Sequence, residues 1–578
     1  MKVLLCAINA KYIHSNLAVY SLRAYAEPYR DQIEIAEFTI NHYADDIMEE
    51  IYKKKPDFLG FSCYIWNLEF VKKLIPEIHK LLPDTIIWVG GPEVSYDAIS
   101  FLEEIPQASG VMTGEGERSF LALLDYYVEG KGDRKEIAGI TYRGENGEIL
   151  ANPCGDFLPM DEIPFMYHDM KEFENKIVYY ESSRGCPFSC SYCLSSIDKR
   201  VRLRSLELVE KELQFFLDRK VPQVKFVDRT FNCNHKHAVG IWKYIREHDN
   251  GITNFHFEIA ADLINEEELE ILSAMRPGLV QLEIGVQTTN SDTIKEIDRV
   301  TNLEKLKRTV ARIHSFHNIH QHLDLIAGLP YEGYESFVRS FNEVYEMRPN
   351  QLQLGFLKVL KGSKMYRNAE KYGIVYRNDP QYEVLFTRWL NHDELLALKG
   401  VEEMVEVYYN SCQFTRTICA LEQEFCQPFD LFFELAQYYE KERLNHQNHS
   451  RMARFEILRQ FIAQLGTGKE KWYDEWLIYD LYLRENSKSR PSWAKDQGQW
   501  KEAAVQFYKK EEEDPQYLKE YKGYNHRQTA KMTHLEMFSF DVLGDGKKQR
   551  TAILFDYKKR NPLTNDASVF RIKEAEIM

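Results

Sequence analysis

The chain has 578 residues, of which 44% are apolar, so it is long enough for two to four domains and too apolar for a disordered protein. Its formal charge of −15, from 74 basic and 89 acidic residues, gives no global support to a nucleic-acid partner. Ten cysteines, three of them within eight residues, do not suit a secreted disulfide framework, and no apolar run has the length of a membrane span. We therefore expect a cytoplasmic protein without a membrane partner.

The first 130 residues alternate short apolar runs with amphipathic segments. The runs suit buried parallel strands and cover residues 3–8, 33–40, 58–65, 85–89 and 110–112. Strands and helices in series predict a doubly wound, Rossmann-like parallel sheet over residues 1–135. Its ligand would lie beyond the carboxyl ends of the strands.

Small and polar residues follow three of these predicted strands. The third strand runs into Ser62, the fourth into a Gly-Gly-Pro-Glu segment, and the fifth into Thr-Gly-Glu-Gly-Glu. Glycines there let the backbone approach a bulky ligand and expose N–H donors at helix starts. We predict that the ligand contacts Ser62, Gly90, Gly91, Glu93, Gly114, Glu115 and Gly116.

Residues 136–176 form a predicted connector. Residues 140–143 and 148–150 suit the two strands of a hairpin around a Gly-Glu-Asn-Gly turn. A segment with two prolines, residues 158–164, follows as an extended linker.

Three cysteines then occur in a C-x3-C-x2-C pattern at Cys186, Cys190 and Cys193, directly after an apolar run. A structural zinc site takes four protein ligands, and an ordinary 4Fe-4S cluster takes four thiolates. Three ligands leave one metal position open for chemistry. Half of a zinc knuckle is the alternative interpretation, but no second C-x2-C or H-x3-H follows.

The cysteine spacing, with Tyr192 just before the last cysteine, resembles the signature of the radical S-adenosylmethionine (SAM) superfamily. The resemblance implies that Cys186, Cys190 and Cys193 bind a 4Fe-4S cluster and act in catalysis. The open iron would bind SAM, and the reduced cluster would cleave SAM to a 5′-deoxyadenosyl radical. Strand-like segments after the cysteines then fit the partial (β/α)6 barrel of this superfamily over residues 177–389.

The same resemblance assigns residues to SAM. The segment around Asp228 resembles the one that binds the SAM amino group, and Glu283 and Gln287 fall where the ribose and carboxylate are bound. Gly328 and Pro330 lie in the segment beside adenine, and Tyr192 lies next to the cluster. For Asp228 and Glu283, ordinary polarity at a strand end is the alternative interpretation.

The V-G-G-P-E and T-G-E-G-E-R-S-F segments, placed ahead of such a cysteine motif, resemble the cobalamin-binding domain of cobalamin-dependent radical SAM enzymes. The predicted ligand of the first domain is then cobalamin. The D-x-H-x-x-G motif, whose histidine ligates cobalt in other cobalamin proteins, is absent after the first strand. His14 in that loop is either near the cobalt or an ordinary cap or surface residue.

Residues 390–578 differ from the rest and predict a mainly α-helical domain with a small β element. Helical periodicity covers residues 429–443, 453–465 and 472–484, and residues 485–491 suit a linker. Residues 536–542 and 550–557 suit a pair of strands. This part resembles the C-terminal extension of unknown function in one subgroup of the family. Its basic residues 547–550 and 558–560 either contact phosphate or form a solvated hairpin face.

Both cofactors in one chain imply a cobalamin-dependent radical SAM C-methyltransferase, although cyclisation and other rearrangements use the same pair. A second hypothesis is a methylthiotransferase acting on tRNA or protein, with Cys6 and Cys63 as ligands of a further cluster. No third cysteine stands near Gly90, which counts against that hypothesis. A third hypothesis, of a different class, is a non-catalytic protein that binds cobalamin and SAM.

The expected partners are an unidentified small-molecule or peptide substrate and a reductant such as flavodoxin or ferredoxin.

Overall fold

The computed structural model describes residues 1–445, 447–544 and 546–573. The chain divides into two compact units. The first contains Met1–Ile319, Ile326–Tyr334 and Gly355–His392, and the second contains His320–Leu325, Glu335–Leu354 and Asp393–Met578.

A twisted sheet opens the first unit. Its strands are β1 (Val3–Asn9), β2 (Ile33–Thr39), β3 (Phe58–Ser62), β4 (Ile86–Gly90), β5 (Gly110–Met112), β6 (Ile140–Arg143) and β7 (Ile149–Ala151). Strands β1 to β5 are parallel, and their apolar side chains form a buried core with the helices that connect them. Those helices are α1 (Leu17–Tyr25), α2 (Ala44–Lys54), α3 (Leu68–Leu81), α4 (Pro92–Ser95), α5 (Ala98–Glu104) and α6 (Glu117–Glu129).

The strand order β2-β1-β3-β4-β5-β6-β7 confirms the doubly wound fold class. Strand β1 is flanked by β2 on one side and β3 on the other, so the winding direction reverses there. The predicted connector hairpin forms, but β6 pairs antiparallel with β5 and thereby extends the first sheet beyond residue 135.

A second α/β series follows in the same unit. It contains β8 (Val178–Tyr180), β9 (Ser183–Arg184), β10 (Arg202–Leu203), α7 (Leu206–Asp218), β11 (Gln223–Phe226), α8 (His235–Glu247), β12 (Asn254–Ile259), α9 (Glu266–Ser273), β13 (Val280–Gln287), α10 (Ser291–Glu296) and α11 (Leu303–His314). Strand β11 pairs in parallel with β8 and β12, and β12 pairs in parallel with β13. Buried and half-buried residues alternate strictly along β13, as expected for a strand with an apolar outer face and a polar inner face.

The series continues along the chain with β14 (His320–Ala327), α12 (Tyr334–Tyr345) and β15 (Gln351–Phe356). Three short elements follow: α13 (Lys364–Asn368), β16 (Val375–Tyr376) and β17 (Val384–Phe386). The strand and helix sequence from β8 to β15 agrees with the predicted six-stranded series.

Helices form most of the second unit. These are α14 (His392–Val405), α15 (Thr415–Leu421), α16 (Pro428–Lys441), α17 (Arg451–Leu465), α18 (Glu470–Arg484), α19 (Lys501–Glu513) and α20 (His526–Met532). A small antiparallel sheet joins β18 (Thr533–Phe538), β19 (Thr551–Arg560) and β20 (Ala567–Ile572). The predicted helical domain with a small β element is therefore present. Across the described ranges, the helices are all too short or too polar to cross a membrane.

Candidate active site

The cysteine loop lies between β9 and β10 and depends on a glycine. Gly185 has a φ of +91°, and a Cβ there would lie 2.3 Å from the carbonyl oxygen of Arg200. The next residue, Cys186, donates its backbone N–H to the carbonyl of Asp198 at 3.0 Å. The loop therefore folds back closely on itself before the first thiol.

All three thiols are free rather than joined in disulfides. Cys186 and Cys190 are buried, and Cys193 is half-buried. Thiolates bound to one tetrahedral zinc at a Zn–S distance of ~2.3 Å would have their sulfur atoms roughly 3.8 Å apart. Among the described residues, these three sulfurs do not lie close enough together to share a single ion. A 4Fe-4S cluster takes one thiolate per iron and so suits more widely spaced sulfurs. The donor set therefore fits a cluster better than half of a zinc knuckle.

Asp228 lies at the end of β11 and holds the start of the cysteine loop. Its carboxylate is 1% exposed and accepts from the backbone N–H of Ser182 at 3.0 Å and from the hydroxyls of Ser182 and Ser183 at 2.6 Å each. Burial raises the pKa of Asp228 to about 6, although these hydrogen bonds oppose the rise. Its carboxylate thus positions the segment that leads into Cys186, and the acceptance of the SAM amino group by Asp228 stays a prediction.

Gln287, at the end of β13, has a backbone φ of +71°. Its side-chain oxygen is buried and has no hydrogen-bond partner within the described ranges. A strained backbone and an unpaired buried acceptor at one residue are typical of a ligand site. This geometry fits the predicted role of Gln287 toward SAM.

Glu283, four residues earlier on the same face of β13, contacts side chains of the neighbouring strands. Its carboxylate lies 3.2 Å from Lys225 Nζ and 3.0 Å from His256 Nε2. The carboxylate that is predicted to contact SAM therefore also contacts a lysine and a histidine on the inner faces of the neighbouring strands. The other two predicted residues, Gly328 and Pro330, are buried just after β14.

Arg299, in the loop between α10 and α11, contacts the cysteine loop and was not foreseen. Its Nη1 lies 3.8 Å from Cys190 Sγ and 3.3 Å from Tyr192 Oη, and its Nη2 donates to the carbonyl of Gly285. No motif marks this arginine, so sequence reasoning had no signal for it.

A large cavity opens at the carboxyl ends of the first sheet. Its volume is about 1240 Å³, which exceeds the roughly 300–1,000 Å³ of sites for drug-sized ligands. Six predicted residues line it: Ser62, Gly90, Gly91, Gly114, Glu115 and Gly116. A Cβ at Gly91 would lie 2.4 Å from the carbonyl oxygen of Cys63, so only glycine fits this position of the rim. The size and the backbone-lined rim fit a corrin.

Glu93, the seventh predicted residue, does not line this cavity. Its buried carboxylate accepts from the Tyr382 hydroxyl at 3.0 Å, and burial raises its pKa. His14 is also absent from the cavity lining. Its Nδ1 lies 2.6 Å from the Tyr179 hydroxyl, so the structure gives His14 a packing role rather than a place at the corrin.

The cavity also reaches the cysteine loop. Its walls include Arg184, Gly185, Leu194 and Ile197, which flank the three cysteines in sequence. Tyr64, stacked on Trp66 at 4.5 Å between ring centroids, adds an aromatic wall.

A group of buried charges, here called the arginine collar, joins the cysteine loop to the first sheet. Arg184 pairs with Glu117 at 2.6 Å, with Glu181 at 2.8 Å and with Glu115 at 3.6 Å. Arg202 pairs with Glu115 at 2.5 Å. Burial alone would raise the pKa of Glu117, but Arg184 lowers it below its usual value. The carboxylates of the Thr-Gly-Glu-Gly-Glu segment thus bind arginines of the cysteine loop.

Cys6 and Cys63, the two ligands of the methylthiotransferase hypothesis, lie in the core of the first sheet. Burial raises the pKa of both thiols. Neither lines the cavity, so they behave as small apolar residues.

Comparison with known proteins identifies three domains in this chain. The B12 binding domain model matches residues 3–124, the radical SAM superfamily model matches residues 180–344, and a model for a protein of unknown function (DUF4080) matches residues 370–555. These matches confirm the cofactor classes that the sequence predicts, namely cobalamin for the first domain and a 4Fe-4S cluster with SAM for the second.

Two curated relatives match most of the chain. One is the 2-(S-pantetheinyl)-carbapenam-3-carboxylate methyltransferase of Streptantibioticus cattleyicolor, 23% identical over 66% of this chain and 61% of its own length. The other is the cobalamin-dependent radical SAM methyltransferase TokK of Streptomyces tokunonensis, 24% identical over 69% of this chain and 63% of its own length. The chain thus spans about three fifths of these relatives.

A solved structure supports the fold. The cobalamin-dependent SAM radical enzyme OxsB, with aqua-cobalamin and SAM bound, superposes with a TM-score of 0.57 at 15% identity, covering 83% of this chain and 79% of that one. With its three matched domains, the chain is therefore a radical SAM protein that carries a B12 binding domain before the radical SAM domain and a DUF4080 domain after it.

Proposed function

We propose that this protein is a cobalamin-dependent radical SAM enzyme that methylates an unactivated carbon of a small-molecule or peptide substrate. The observation that carries the proposal is the cavity of about 1240 Å³, which is lined at once by the glycine-rich ends of β4 and β5 and by residues next to the cluster cysteines. Two cofactors that must act on one substrate need such a shared space. The named activity of the two curated relatives supports methyl transfer.

When bound, the cluster with SAM supplies hydrogen abstraction by a radical, and cobalamin supplies a methyl group. The protein's own residues bind and orient these groups. Cys186, Cys190 and Cys193 hold the cluster, and the unpaired Gln287 oxygen offers SAM a hydrogen-bond acceptor. The backbone around Gly91 gives the corrin a close surface to lie on.

Positioning falls to the charged side chains around the cysteine loop. Asp228 holds Ser182 and Ser183, and the arginine collar fixes Arg184 against the start of α6. Both sets of contacts act within four residues of Cys186. They therefore set where the cluster lies relative to the cavity, and a reaction between two cofactors depends steeply on such distances.

The test is anaerobic reconstitution of the purified chain with iron, sulfide and hydroxocobalamin. We expect about four irons and one cobalt per chain, and 5′-deoxyadenosine on reduction with SAM. Methyl transfer is followed with deuteromethyl SAM and a metabolite or peptide extract, by mass spectrometry. Cys186→Ala should lose the cluster, whereas Cys419→Ser, at an exposed cysteine on α15, should retain it.

Other results would point elsewhere. About eight irons without cobalt would indicate an enzyme with two clusters. Bound cobalamin and SAM without cleavage would indicate a non-catalytic binding protein, and cleavage without label transfer would indicate a rearrangement. A flavodoxin or ferredoxin is the proposed electron donor and should replace the chemical reductant in the same assay.

A further inference from the structure

The guanidinium of Arg299 is placed against a cluster cysteine by the backbone on both sides of the contact. Ser191, next to Cys190, donates its N–H to the carbonyl of Ile297 at 2.9 Å and accepts from the N–H of Met365 at 2.7 Å. Arg299 itself is anchored through its Nη2 at the carbonyl of Gly285 on β13. The 3.8 Å approach of Nη1 to Cys190 Sγ is therefore fixed by the fold rather than by a loose side chain.

The charge of Arg299 has no acidic partner within the ranges that the structure describes. Its hydrogen-bond acceptors there are the sulfur of Cys190, the hydroxyl of Tyr192 and a backbone carbonyl, and its buried Nε–H has none. Arginines elsewhere around this loop pair with carboxylates, as Arg184 does with Glu117. A buried cation is costly unless an anion accompanies it. Among the groups that Arg299 contacts, the one that can carry the compensating negative charge is the thiolate of Cys190.

We infer that Arg299 tunes the reduction potential of the cluster by donating an N–H···S hydrogen bond to the Cys190 thiolate and by placing a positive charge beside it. This inference rests on the proposed function, since it requires the cluster at these cysteines. Reduction adds one electron, taken from the external donor, and so adds one negative charge to the cluster. Hydrogen bonds to the ligand sulfurs and nearby positive charge favour that reduced state and raise the potential.

Arg299 is on this view a positioning and tuning residue, because it contacts a ligand sulfur and not the reacting atoms. The consequence is specific. Loss of the guanidinium should leave the three thiolates able to bind iron but make the cluster harder to reduce.

The experiment compares reconstituted wild type, Arg299→Gln and Arg299→Lys, without SAM, in redox titrations with dithionite followed by the electron paramagnetic resonance signal of the reduced cluster. Iron and sulfide are counted in each sample first. The matched control is Arg312→Gln, which removes an exposed arginine that pairs with Glu266 on the surface. The proposal predicts a more negative midpoint for Arg299→Gln, an intermediate midpoint for Arg299→Lys, and a wild-type midpoint for Arg312→Gln.

The outcomes separate the two claims. If the wild type assembles no cluster, the proposed function fails and this inference fails with it. If Arg299→Gln carries a full cluster with the wild-type midpoint, the inference alone is overturned. If Arg299→Gln loses the cluster, Arg299→Lys decides: a midpoint below wild type supports the inference, and a wild-type midpoint overturns it.

Discussion

Replacing Arg184 by methionine should loosen the cysteine loop more than any single change to its acidic partners. The Arg184 side chain is 15% exposed and that of Glu117 is 6% exposed, so the pair is largely removed from water. Methionine keeps much of the apolar volume but leaves Glu117 and Glu181 buried without their cation. Breaking a buried pair from one side costs about 3–5 kcal/mol.

Glu117→Gln should destabilise the cysteine loop by less than Arg184→Met does. Arg184 would keep Glu181 at 2.8 Å and Glu115 at 3.6 Å, and glutamine can still accept from Ser21, which donates to Glu117 at 3.0 Å. The loss is then one charge-assisted hydrogen bond, about 1.5–3 kcal/mol. The control is Arg118→Met, since Arg118 and its partner Glu162 are 47% and 51% exposed and such pairs contribute about 1 kcal/mol or less.

Amide hydrogen exchange followed by mass spectrometry measures these local openings in a chain of several domains. Peptides covering residues 183–203 and 113–120 should exchange at least ~100-fold faster in Arg184→Met, because every 1.4 kcal/mol is a factor of ten. The acceleration should be roughly 10- to 100-fold in Glu117→Gln and below about 5-fold in Arg118→Met. Equal exchange in Arg184→Met and Arg118→Met would refute the claim that the collar holds the loop.

Two further predictions concern the same loop. Gly185→Ala should abolish most iron binding, because the positive φ costs ~1–2 kcal/mol and the new Cβ would overlap the Arg200 carbonyl. The control is Gly147→Ala, since Gly147 also has a positive φ, of +85°, but has open space around it. Metal analysis should find normal iron binding in this control. Asp228→Asn should remove part of the pH dependence of the free energy of unfolding. The folded pKa of Asp228 is about 6 and exceeds the ordinary value of 3.8, so the protonated carboxyl adds stability below about pH 4 that is lost as the pH rises through 6. The stability lost is on the order of 3 kcal/mol. Melting temperatures of wild type and variant from pH 4 to 7 test this, and parallel curves would contradict it.

Much of the fold was predictable because local patterns dominate it. The continuous apolar run of β1 is buried at every position, as a central parallel strand must be. The helices α16, α17 and α18 begin within two residues of their predicted starts, because their periodicity is strong and Ser450 caps the second of them. The third strand of the small sheet, β20, was missed because its burial does not alternate and it contains polar residues such as Ser568 and Arg571.

The candidate site was predictable where the backbone matters and less so where side chains find distant partners. The glycines at the strand ends line the cavity as expected, because a glycine's role follows from its own geometry. The partner of Glu93 is Tyr382, 289 residues away, and no local pattern reveals that contact. Arg299 likewise reaches Cys190 across 109 residues.

The Thr-Gly-Glu-Gly-Glu segment contains both kinds of residue, glycines that act through the backbone and glutamates that act through distant partners. All four residues from Gly114 to Glu117 line the cavity, and the carboxylates of Glu115 and Glu117 also pair with Arg202 and Arg184. A corrin bound there would meet backbone on a segment whose side chains hold the cysteine loop. Losing one of these carboxylates removes an ion pair to the cysteine loop, so we expect it to shift that loop, whereas a larger residue in place of Gly114 or Gly116 should narrow the cavity. It follows that a variant that keeps cobalamin but loses SAM cleavage is the expected result of losing a carboxylate here.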